Sequence, residues 1–67
     1  MSIGRQIAAL RTRAGITQAE LARLAGCAQS LICKVESGGN TSLERFQSIA
    51  TALGEYLVIH PVFVAEE

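Results

Sequence analysis

The sequence has no tryptophan, one tyrosine, two phenylalanines and a single proline. With one proline, the breaks between elements fall to glycines and capping residues. Six Lys and Arg are matched by six Asp and Glu, for a formal net charge of zero, which excludes a globally basic nucleic-acid coat. No apolar run approaches the ~18 residues that a membrane-spanning helix needs. The opening MSIGRQIAAL lacks the long apolar stretch and cleavage site of a secretory signal. Two cysteines, six positions apart and without a CxxC pair, fit a reducing cytoplasm better than a disulfide scaffold.

What is present is apolar. Of 67 residues, 49% are hydrophobic, and the mean hydropathy of +0.31 is too high for a disordered chain. A ~60-residue domain buries only about 60% of its unfolded surface, so some of this apolar area is expected to meet a second copy. The neutral total also hides an asymmetry. Residues 1–45 hold all six cations and three acids, giving +3, and residues 46–67 hold the other three acids, giving −3.

Glycines and capping residues divide the chain. Ile3, Ile7, Leu10 and Ala14 repeat at helical spacing, with Ser2 as N-cap and Gly15 as the stop. Thr17 to Glu20 form a capping box, followed by Leu21, Ala22, Leu24 and Ala25, with Gly26 as the second stop. A third helix fits Ala28 to Ser37, closed by Gly38 and Gly39. Thr41 to Glu44 form another capping box, opening a fourth helix with Leu43, Phe46, Ile49, Ala50 and Leu53, and Gly54 as its stop. Tyr56 to His60 are aromatic and β-branched and precede Pro61 and Val62 to Val64, which reads as a strand with Pro61 at an edge or bulge. A lone strand has no partner in this chain. Neither a linker nor a repeat is visible. The expected division is residues 1–54 as a helical domain and 55–67 as a strand and tail that seal a dimer.

A helix, a turn opened by Gly26 and a second short helix make the arrangement of a DNA-binding helix-turn-helix. The residues Arg11-Thr-Arg-Ala-Gly-Ile-Thr-Gln-Ala-Glu-Leu-Ala, then Ala25-Gly26, then Ile32 and Val35-Glu36-Ser37-Gly38, sharpen the pattern. This stretch resembles the phage-repressor/Cro (XRE) family over residues 3–54. The resemblance implies an all-α, lambda-repressor-like DNA-binding domain of four helices that acts as a homodimer on an inverted-repeat operator in double-stranded DNA.

Geometry bears on the third helix independently. At ~100° per residue, Ala28, Ile32 and Val35 share a buried stripe. The opposite side carries Ser30, Cys33, Lys34 and Ser37, with Gln29 at its edge and no carboxylate, while Glu36 lies beside the stripe. Such a face suits a major groove, where Gln pairs with adenine and Lys reaches guanine; a merely solvated face would satisfy the same residues. The resemblance implies base reading by Gln29, Ser30 and Lys34, with Cys33 in place of a commoner polar choice and able to meet a thymine methyl. Gln18, at the start of the second helix, is placed to clamp a phosphate. The resemblance adds Asn40, Thr41 and Arg45 as phosphate contacts, and implies that Arg11 and Glu36 form a structural ion pair orienting the recognition helix.

Cys27, Cys33 and His60 match no common zinc spacing, and no nucleophile–base pair or phosphate loop appears, so neither a metal, a cofactor nor an enzymatic role is expected. The residues from Asn40 to Phe46 and from Leu53 to Ile59 resemble the HipB-type antitoxin branch. That likeness implies C-terminal strands, here Tyr56, Leu57, Val58, Ile59 and His60, paired across the dimer axis, and a HipA-like kinase toxin as partner. Three readings follow. The expected one is an autoregulating HipB-like antitoxin; the alternatives are a free-standing repressor and, behind it, a protein-interaction adaptor that has lost DNA binding. The +3 N-terminal part and the carboxylate-free face count against the adaptor.

Overall fold

The computed structural model describes residues 3–60 of the chain. They form four helices, α1 (Ile3–Ala14), α2 (Gln18–Ala25), α3 (Gln29–Glu36) and α4 (Leu43–Ile59). The expected cap Ser2 lies outside the described residues. The first three helices end by one device. Gly15, Gly26 and Gly38 take φ of 79°, 73° and 94°, a left-handed conformation that turns the chain back across the helix it leaves. The next amide then reaches back to a carbonyl five residues earlier: Ile16 N–H to Arg11, Cys27 N–H to Ala22 and Gly39 N–H to Lys34.

At the other ends, the Thr17 hydroxyl accepts from the Glu20 amide at 3.0 Å, capping α2. Glu20 does not complete the capping box; its carboxylate accepts from Arg23 instead, at 3.3 Å. For α4 the cap is Ser42, which accepts from the Arg45 amide at 3.1 Å, and not Thr41 as expected. Ala28 caps α3 through its extended backbone alone.

The core is Ile7, Ile16, Leu21, Ala22, Ile32, Val35, Ile49, Ala52 and Leu53. Helix α2 packs against α3 and α4, and α1 closes over both. Helical spacing placed Ile3, Leu10, Leu24, Ala28, Leu43 and Ala50 inward, but all six are exposed. Short helices have room for two or three inward positions each, and the α1–α3 crossing takes Gly4 instead. Gly4 is buried so tightly that a Cβ there would overlap the Val35 carbonyl.

The largest departure is at the C-terminal end. The expected strand over Tyr56, Leu57, Val58, Ile59 and His60 is not formed: α4 continues through Gly54 to Ile59, and His60 caps it by donating its amide to the Tyr56 carbonyl at 2.8 Å. Tyr56 and Leu57 fall three and four residues beyond Leu53, on the buried side, and both pack against the core. Continuing the helix satisfies their amides and buries their side chains within one chain, which a solitary strand cannot do. The helix therefore crosses the expected boundary between residues 54 and 55. Residues 61–64 of the expected strand lie outside the described residues.

Candidate nucleic-acid interface

Helices α2 and α3 and the turn between them present one outer face. On α3, Ile32 and Val35 are inside, while Gln29, Ser30, Cys33, Lys34 and Ser37 are all exposed. Ser37 is occupied locally, its hydroxyl donating to the Cys33 carbonyl at 2.8 Å. The other four leave an amide, a hydroxyl, a thiol and an ammonium facing solvent, with no carboxylate among them. That chemistry can meet base edges and phosphates at once.

Behind this face lies a polar brace. Arg11 Nε donates to Glu36 Oε2 at 2.7 Å and Arg11 Nη2 to Glu36 Oε1 at 3.1 Å, a bidentate pair linking α1 to α3. Arg11 Nη1 also donates to the Ile16 carbonyl at 2.8 Å, fastening the loop before α2. Gln18 Nε2 donates to Glu36 Oε1 at 3.0 Å. One carboxylate thus ties three elements, with its side chain 7% exposed and that of Arg11 16%. Burial alone pushes the Glu36 carboxyl upward, but the hydrogen bonds from Arg11 and Gln18 outweigh it and hold the group below its ordinary value of 4.5. The hydrogen bond to Glu36 raises Arg11 against its own desolvation.

The structure brings the expected pair Arg11 and Glu36 together. It also places Gln18 on Glu36, so a phosphate meeting that side chain would share it with the brace. Asn40 and Arg45 are exposed and Thr41 half-buried, in the α3–α4 loop and at the start of α4. Cys27 is half-buried and Cys33 exposed, both free thiols, and among the described residues no group of His, Cys, Asp or Glu could hold a metal ion. Sequence reasoning missed the Ile16 carbonyl and Gly4. For Gly4 there was a signal, since a glycine inside a helical pattern marks a close approach.

Two helices joined by a tight left-handed glycine, with the second exposed along a polar face, make a helix-turn-helix. A family model described as helix-turn-helix matches residues 7–59. The chain belongs to the helix-turn-helix family. No curated protein and no solved structure matches it. Membership extends to Ile59, so α4 is part of the helix-turn-helix unit through its last turn. The family points to DNA binding and transcription regulation. Among the described residues no helix is long and apolar enough to cross a membrane.

Proposed function

We propose that the protein is a sequence-specific transcriptional repressor that binds double-stranded DNA through α3. The observation that carries this is the exposed, carboxylate-free face of α3 held rigidly by the Arg11–Glu36–Gln18 brace. Gln29, Ser30 and Cys33 meet base edges, with Lys34 on the same face. Gln18, Asn40, Thr41 and Arg45 take phosphates along the flank. No enzymatic step is part of this reading. Gln29→Ala should relax base preference and cost ~1–3 kcal/mol against the preferred site. Selection of binders from random duplexes, repeated with the variant, checks it; unchanged discrimination would remove α3 from the recognition role.

The binding unit is a homodimer on an inverted repeat, with α3 of each copy entering successive major-groove turns ~34 Å apart. Exposed Val58 and Ile59 on α4, at 80% and 71%, supply apolar surface for the contact between copies. A footprint confined to one asymmetric half-site would overturn the dimer. Pairing with a HipA-like kinase toxin rests on the resemblance of residues 40–46 and 53–59. Its strand-based part loses support because Tyr56 to Ile59 are helical. The free-standing repressor is therefore the reading the geometry favours, and co-purification of a kinase with the native protein would restore the antitoxin.

A further inference from the structure

The three glycine-terminated helices differ in one respect. After the left-handed glycine, the residue whose amide reaches back usually sets its side chain against the helix it has just left. At that place Ile16, after α1, is buried in the core, and Cys27, after α2, is half-buried and packs against the core. After α3 that place belongs to Gly39, which has no side chain to set there. The Lys34 stem fills the space instead: a Cβ built on Gly39 would stand 2.6 Å from Lys34 Cγ, 2.9 Å from the Lys34 carbonyl oxygen and 3.4 Å from Cε. The backbone of Gly39 is not in the positive-φ region, so room, not dihedral freedom, is what this position demands of its residue.

Cγ and Cε both lie against Gly39, so the stem runs over the α3–α4 loop. Helical side chains ordinarily lean back toward the N-terminus, which here would be toward Ser30 and the base-reading turn. The first turns of a recognition helix enter the groove and its far end lies nearer the sugar-phosphate strand. The Lys34 ammonium has no hydrogen-bond or ion-pair partner among the described residues, and Asn40 stands next along the loop.

We propose that Gly39 is a positioning residue that seats the Lys34 stem against the α3–α4 loop, so that Lys34 grips a backbone phosphate and does not read a base. This rests on DNA binding through α3. It moves Lys34 from the specificity set to the affinity set.

Two measurements test it on the full chain. In the first, Lys34→Met keeps the stem and removes the charge. Binding to a selected operator and to an unrelated duplex should weaken by the same factor. The slope of log affinity against log salt should fall by ~0.9 for each copy, ~1.8 for the dimer, so the variant loses about 12-fold less than the parent between 50 and 200 mM salt. A changed preference at one base pair with an unchanged salt slope would overturn the proposal. In the second, thermal unfolding compares Gly39→Ala in the parent and in Lys34→Ala. The added methyl should lower Tm in both backgrounds through the Lys34 carbonyl oxygen 2.9 Å away, and clearly further in the parent, where Cγ also stands in its way. An equal drop in both backgrounds would show that the stem is not seated by Gly39. Should the parent discriminate among no duplexes and Gln29→Ala be silent, the DNA-binding role of α3 fails, while the unfolding comparison still decides the seating of Lys34.

Discussion

The brace beneath α3 and the last turn of α4 are held by opposite kinds of force. Around Glu36, four side-chain hydrogen bonds tie α1, the loop before α2, α2 itself and α3 at defined angles. At the end of α4, Tyr56 and Leu57 rest on the core by one apolar side, while Val58 and Ile59 face solvent. Directional bonds fix an orientation, which a groove-reading helix requires. Apolar contact fixes proximity alone and leaves the outer side of α4 open to another surface.

Breaking the brace should have the largest effect. Glu36→Ala strands the Arg11 guanidinium, whose side chain is 16% exposed, and should cost about 3 kcal/mol in urea unfolding. A loss below ~1 kcal/mol would place the brace among ordinary surface pairs. Acid should undo part of the same contribution. The folded Glu36 carboxyl lies below its unfolded value, so its stabilisation is complete above about pH 4.5 and is lost as pH falls through the folded value. Unfolding midpoints of the parent should therefore drop below that pH more steeply than those of Glu36→Gln.

The α4 end is sharpened by Gly54. It sits inside a helix with nothing within 4 Å of where a Cβ would be. Gly54→Ala should raise stability by about 0.5–1 kcal/mol, because an open helical site favours alanine. A destabilisation would mean that the helix stops there, as the sequence pattern first implied. The smallest effect belongs to the exposed pair Arg23–Glu20, with side chains 70% and 43% exposed. Arg23→Ala should change stability by less than ~0.5 kcal/mol, the contrast that gives the Glu36 result its meaning.

Much of the site was legible because it is written locally. The polar face of α3 follows from helical period, and the left-handed terminations follow from single glycines. The Arg11–Glu36 pair, 25 residues apart, was reached through family resemblance, since no local rule connects two such positions. Gln18 was placed on the right helix, but its hydrogen bond to Glu36 depends on how α2 crosses α3. The same holds for Lys34, whose face was evident and whose direction depends on Gly39.

By itself, the sequence determined the four helices, the glycine stops of the first three and the apolar character of the C-terminal segment. Tertiary structure decided what that segment becomes. Tyr56 to Ile59 carry strand-like side chains, each with a local preference of at most about 1 kcal/mol. Burial of Tyr56 and Leu57 in register with Ile49 and Leu53, together with helical pairing of amides that had no neighbouring strand, outweighs that preference. Which positions of α1 face inward was settled the same way, by the close approach of Gly4 to the Val35 carbonyl, a contact between residues that the sequence holds far apart.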